Sequence, residues 1–319
     1  MNIRFSEMKV LFCVLLMCLG IVSCAKPTAP APTEGFLNVP GGPVWFRVVG
    51  TGSATPILLL HGGPGAGSCR LSALAALGDQ HRVVFYDQLG SGRSGRPADP
   101  ALWQINRFVE ELDAVRNQLR LTRIHLLGHS WGASLAVQYV LTKGARGVES
   151  LILVGPLLNT RDWIDDANIL RRQLPLPVQE VLKRNEDAGT TQSQEYQDAT
   201  EVFYNKFFFH RQPVPVTPEC AGSARNQDIY EAMWGPNEFY VTGNLNAFDV
   251  THRLGELQMP VLFVVGEFDE LRQETAARYH ALVSDSRLEV IEGAGHMSMV
   301  DEPRKFLQIV QNFLGAIPR

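Results

Sequence analysis

A short apolar run, Ile124-His125-Leu126-Leu127, meets Gly128-His129-Ser130-Trp131-Gly132 and passes directly into the helix-like Ala133-Ser134-Leu135-Ala136-Val137-Gln138-Tyr139-Val140-Leu141. The pattern reads as buried strand, sharp turn and helix. The two glycines let neighbouring backbone approach where a Cβ would collide. A serine on such a turn stands exposed at the carboxyl end of its strand, over the amino end of the next helix. Ser130 is therefore a candidate nucleophile. The bare pentapeptide is a weak signal in a chain with 28 glycines; the strand before it and the helix after it give it weight.

With 319 residues, 45% hydrophobic and 19% charged, the chain is long enough for one large α/β domain with an insertion. A net charge of -4 and a pI near 6.1 supply no basic field, so nucleic acid is not an expected partner. No repeat of fixed period occurs, which excludes solenoids and propellers.

The first residues follow different rules. Arg4 and Lys9 precede an apolar run from Val10 to Val22, the length of a signal-peptide core and too short for a permanent membrane span. Its end, Ile21-Val22-Ser23-Cys24, resembles a bacterial lipobox. Residues 1–23 thus read as a lipoprotein signal peptide, with Cys24 the lipidated first residue of the mature chain. A plain secretory signal and an uncleaved anchor are the alternatives; a small residue directly before Cys24, with no Ala-x-Ala, favours lipidation. Residues 24–35, including Lys26-Pro27-Thr28-Ala29-Pro30-Ala31-Pro32-Thr33, form a semi-extended proline-rich tether. The expected location is the bacterial cell envelope, held to a membrane by lipid. Beyond Cys24 only Cys69 and Cys220 remain; an oxidising compartment allows a bond between them, but two isolated thiols are no framework, the sequence does not establish the pairing, and it is not expected. No Cys or His pair has metal-ligand spacing, so neither metal nor cofactor is expected.

Two strand-like runs, Phe36–Val39 and Val44–Val49, flank Pro40-Gly41-Gly42-Pro43 and read as a hairpin. Pro56-Ile57-Leu58-Leu59-Leu60 is a strand buried on both faces, ending in His61-Gly62-Gly63-Pro64-Gly65. Such a loop lets backbone N–H groups reach a developing oxyanion, and Gly63 with Trp131 is the expected donor pair. His61 reads as a buried loop-stabilising imidazole. Leu71–Leu77 reads as a short helix and Arg82–Tyr86 as a strand, followed by the tight loop Asp87-Gln88-Leu89-Gly90-Ser91-Gly92-Arg93-Ser94. There Asp87 and Arg93 are expected to pair structurally. Ile105, Phe108, Val109, Leu112, Val115 and Leu119 mark an amphipathic helix, and Ser150–Val154 is another strand.

From Gly155 to about Leu257 polar helical patterns broken by prolines replace strands, as in an inserted helical cap. The aromatic run Phe203, Tyr204, Phe207, Phe208, Phe209 packs the cap's own core or lines a pocket. Strands return at Pro260–Val265 and Leu288–Glu292. The first leads to Asp269 and the second to Gly293-Ala294-Gly295-His296. Ser130, Asp269 and His296 each follow a strand, in the chain order of an α/β-hydrolase triad. His280 lies in a helical stretch, and Asp249, Glu267 and Glu270 are weaker acids because none ends its strand as Asp269 does. Pro303 opens a closing helix. The expected architecture is an α/β-hydrolase fold, a mostly parallel sheet with helices on both faces. Its core spans 36–155 and 258–319, and the cap 156–257.

His61-Gly62-Gly63-Pro64-Gly65, Asp87–Ser94 and Gly128-His129-Ser130-Trp131-Gly132 together resemble the proline iminopeptidases, serine exopeptidases that remove an N-terminal residue. In the cap, Gly235-Pro236-Asn237-Glu238-Phe239 resembles the subgroup in which such a glutamate binds the substrate's α-ammonium. The resemblance implies that role for Glu238, and implies a short peptide or aminoacyl substrate. It also implies a second acid, for which Glu201 and Glu195 are candidates that no motif fixes. The rival readings are an esterase or amidase of small acyl compounds with the same triad, and a non-catalytic binding protein on a hydrolase scaffold. Epoxide hydrolases and dehalogenases need a carboxylate where this chain has Ser130.

Overall fold

The computed structural model describes residues 33–213, 220 and 225–318; the signal peptide, Cys24 and most of the tether lie outside the described residues. Eight strands form one sheet: β1 Glu34–Val39, β2 Gly42–Val49, β3 Ala54–Leu60, β4 His81–Tyr86, β5 Ile124–His129, β6 Val148–Val154, β7 Val261–Gly266 and β8 Ser286–Ile291. Their order is β1-β2-β4-β3-β5-β6-β7-β8. The pairs β1/β2 and β2/β4 are antiparallel, as the hairpin reading requires, and every other pair is parallel.

The central strands are apolar throughout because both of their faces are covered. Leu58 and Leu60 belong to one buried cluster and Ile57 and Leu59 to another, the period-two alternation of a strand. The first cluster takes in Phe108, Leu112 and Val115 of helix α1 (Ile105–Gln118) and Leu135 and Ala136 of α2 (Trp131–Lys143). The second takes in Leu71, Leu74 and Leu77 with Phe306, Val310 and Phe313 of the closing helix Pro303–Gly315. Each such side chain contributes about 1.5–3 kcal/mol when fully buried. Ser68–Asp79 is a 3-10 helix rather than an α-helix. Leucines at a strict spacing of three suit three residues per turn, which stacks them along one edge.

Between β6 and β7 the chain leaves the sheet. Helices α3 (Thr160–Arg171), α4 (Leu176–Ala188), α5 (Gln194–Phe203) and α6 (Gln227–Met233) lie there, and residues of α3, α4 and α5 share a small core with Phe207 and Phe239. At its end α5 widens into a π-turn over Tyr204–Phe208. The wider turn divides the aromatic run: Phe203 and Phe207 are buried in the cap core, whereas Tyr204, Phe208 and Phe209 line a cavity between cap and sheet. Both readings of that run therefore hold, for different residues.

Two expectations are corrected. Cys69 and Cys220 are joined in a disulfide; folding brings residues far apart in sequence to adjacent positions, which spacing alone does not reveal. Asp87 and Arg93 do associate, but through the Arg93 backbone N–H, 2.9 Å from Asp87 Oδ2. The Arg93 guanidinium lies over the Trp45 ring instead, and Asp87 also accepts from the N–H and hydroxyl of Ser68, each at 2.7 Å.

Candidate active site

Ser130 follows β5 directly and has φ 55° and ψ -122°, a conformation that costs a non-glycine residue about 1–3 kcal/mol. It is held there from several sides. Its N–H donates to the Val154 carbonyl at 2.8 Å. A Cβ on Gly128 would fall 2.3 Å from the Gly132 carbonyl oxygen, and one on Gly132 would fall 2.1 Å from that of Leu60. Both glycines are therefore required by close backbone approach.

Asp269 and His296 follow β7 and β8. Asp269 Oδ1 accepts from His296 Nδ1 at 2.8 Å and from the Leu271 N–H at 3.0 Å, while Oδ2 accepts from Gly266 at 3.2 Å. With Nδ1 thus donating, Nε2 of His296 is left as the acceptor nitrogen; it is buried and has no hydrogen-bond partner among the described residues. Gly155, after β6, completes the fit, since a Cβ there would lie 2.6 Å from His296 Nδ1. Such an imidazole can accept a proton from a serine hydroxyl, and its carboxylate can hold the tautomer and stabilise the charged form.

The His61–Gly65 loop packs on this turn: a Cβ on Gly62 would sit 3.2 Å from Ser130 Cβ. The loop is braced by His61, whose Nε2 accepts from the Gln88 N–H at 3.0 Å and whose Nδ1 lies 2.8 Å from the Gly62 carbonyl. Burial lowers the basicity of His61, consistent with a neutral structural imidazole. Gln88 bridges the two halves, donating to the His61 carbonyl at 3.0 Å and accepting from Trp131 Nε1 at 2.8 Å. Among the described residues the N–H groups of Gly63 and Trp131 make no backbone hydrogen bond, which leaves both able to serve an oxyanion. His129 lies against His296, ring centroids 4.6 Å apart, and burial holds it well below the usual histidine range.

Ser130, His296, Gly63, Glu201, Tyr204, Phe208, Phe209, Arg225 and Glu238 share one cavity of about 570 Å³, the size of a small-molecule site. Residues 55–303 match the family of the alpha/beta hydrolase fold. A proline iminopeptidase of Heyndrickxia coagulans is 44% identical over 288 residues, covering 89% of this chain and 99% of that relative. One from Saccharolobus solfataricus is 34% identical, covering 89% and 93%. The chain belongs to the proline iminopeptidase family.

Solved structures agree with that membership. The proline iminopeptidase of Mycobacterium smegmatis superposes with a TM-score of 0.80 at 32% identity, covering 88% of this chain and 97% of that one. VinJ superposes with 0.84 at 31% identity, covering 91% and 100%. An Exiguobacterium antarcticum esterase, at 22% identity and 0.63, shares the fold.

In this member of the proline iminopeptidase family, Glu238 is buried and its Oε1 accepts from the Tyr230 hydroxyl at 2.6 Å, with Arg225 Nη1 at 3.9 Å. Of the two second-acid candidates, Glu201 lines the cavity, while Glu195 is occupied with Arg184 and Asn185. A third acid was missed. Glu270 is buried, neither carboxyl oxygen has a hydrogen-bond partner among the described residues, and burial, then Glu238, then Asp269 push its pKa well up. In the sequence Glu270 adjoins Asp269 and reads only as a rival triad acid. The other candidates lie elsewhere: Glu267 accepts from Gly293, His280 bonds to Ser286, and Asp249 caps the turn at Thr251.

Proposed function

We propose that the protein is a serine exopeptidase that removes an N-terminal residue, proline or another small apolar residue, from short peptides. The relatives named proline iminopeptidase support this reading. The observation that carries it is the buried carboxylate in the cavity: Glu238 lines it together with Ser130, and its ionic neighbour Arg225 stands no closer than 3.9 Å. An N-terminal ammonium entering the cavity gives that carboxylate a closer partner. A blocked substrate leaves a buried carboxylate unpaired, which is costly.

In this mechanism His296 takes the Ser130 proton as Oγ attacks the scissile carbonyl, and Asp269 stabilises the imidazolium. The N–H groups of Gly63 and Trp131 receive the oxyanion. His296 then protonates the leaving amine, and water releases the acyl group from Ser130 by the reverse sequence. No metal or cofactor enters. The test is a panel of prolyl and alanyl arylamides, their N-acetyl derivatives and a short-chain aryl ester. Free-amine arylamides turned over far faster than the acetylated ones support the exopeptidase; ester hydrolysis without arylamide hydrolysis selects an esterase.

We further propose that Cys24 is lipidated after removal of residues 1–23 and that the enzyme is held at a membrane of the bacterial cell envelope. The sequence Val22-Ser23-Cys24 behind an apolar run supports this. Incorporation of labelled fatty acid in a bacterial host, abolished by Cys24→Ala, tests it.

A further inference from the structure

The geometry points to Arg70 as the residue that receives the C-terminal carboxylate of the substrate, so that the enzyme is selective for very short peptides with both termini free. This rests on the exopeptidase reading above and adds the other end of the substrate to it.

Arg70 lines the same cavity as Ser130 and Glu238, yet it contributes to neither the triad nor the acid cluster. It is solvent-exposed, as is Glu201, whereas Glu238 is buried; the cavity thus holds a carboxylate at depth and a guanidinium at its rim. Ser130 lines the same cavity as both, so a peptide held at Ser130 has a buried carboxylate and an exposed guanidinium within one cavity.

The guanidinium is also held in place. It lies 5.1 Å from the centroid of the Phe209 ring, and the preceding Cys69 is bonded to Cys220. The segment is fixed further by Ser68, which donates twice to Asp87. A pre-positioned planar fork that forms no ion pair among the described residues suits a carboxylate. A cavity of about 570 Å³ accommodates a substrate of two or three residues, whose carboxylate then reaches the rim as its ammonium reaches Glu238.

The experiment compares kcat/KM for prolyl-alanine and prolyl-alanine amide, which differ only in the C-terminal charge, with prolyl arylamide as a reference. The wild-type protein should prefer the acid by about 5- to 30-fold, with the preference carried mainly by KM and narrowing as salt is added. Arg70→Met should bring the ratio close to one, and Arg70→Lys should keep part of it. A folding defect lowers both peptides alike and leaves the ratio intact. A wild-type ratio near one, or an undiminished ratio in Arg70→Met, overturns the assignment while leaving the exopeptidase reading in place. A protein inert towards all free-amine substrates overturns both.

Discussion

The backbone N–H of His296 donates to the carbonyl of Phe207 at 2.8 Å, so the histidine of the site is suspended from the cap's π-turn. Met297 makes the same kind of bond to Phe208, at 2.9 Å. The buried carboxylate of Asp301 locks the junction, accepting from Gly295 at 2.8 Å, His210 at 3.0 Å and Arg211 at 3.1 Å.

Asp301→Ala leaves three backbone donors without their acceptor, that of Gly295 buried and those of His210 and Arg211 part-buried; an orphaned buried group costs about 1–3 kcal/mol and a part-buried one less. Urea unfolding should show a loss of roughly 2–5 kcal/mol. Because Gly295 precedes His296, kcat should fall more than KM rises. A variant with wild-type kcat would separate the junction from histidine positioning.

Ser130→Ala should abolish turnover of arylamide and ester alike, by at least about 10³-fold, with the fold intact. Removing the serine also relieves no backbone strain, since alanine has the same φ penalty. Circular dichroism and thermal melting should therefore match wild type; retained turnover would remove Ser130 from the mechanism.

Glu238→Gln should lower kcat/KM for free-amine arylamides by roughly 30-fold to several-thousand-fold, about 2–5 kcal/mol, and leave a neutral aryl ester little changed. Equal losses on both substrates would indicate a general defect instead of a lost ammonium contact.

Glu270 predicts a pH dependence. Its native pKa is raised, chiefly by burial, so its contribution to stability is full below the ordinary carboxyl value and is lost as pH rises through the native one. Glu270→Gln should flatten that decline, melting higher than wild type in mildly alkaline buffer and not in acid. A melting curve against pH parallel to wild type would show that the carboxyl is not the source of the decline.

Cys69→Ser should also destabilise the protein, since the bond to Cys220 spans a sequence separation of 151. Removing a native disulfide costs about 2–5 kcal/mol. Equal unfolding midpoints with and without reductant would argue against the bond in solution.

The sheet, the strained turn and the His296–Asp269 contact were legible because each is a local pattern: an apolar run, a small-residue turn, a polar side chain directly after a strand. What escaped was non-local. Gln88 stood in a quoted motif, but its bridging role depends on Trp131 and His61 converging from separate strands. Asp301 acts on backbone N–H groups, which carry no sequence signature. Glu270 adjoins Asp269 in sequence, but the burial of its carboxyl without a hydrogen-bond partner among the described residues depends on packing by other elements. Leu71–Leu77 is legible as a short helix, and its leucine spacing of three carries the 3-10 geometry that the structure has.

Gly155 shows how widely the chemistry is distributed. The loop after β3, the serine after β5, this glycine after β6, the aspartate after β7 and the histidine after β8 meet at one edge of the sheet. A slip of one residue in any of those strands turns its side chains to the opposite face, and the constellation is lost at a stroke. Turnover thus acts as an all-or-none gauge of sheet register: in a partly denatured sample, the rate counts intact molecules and is blind to every partially ordered one.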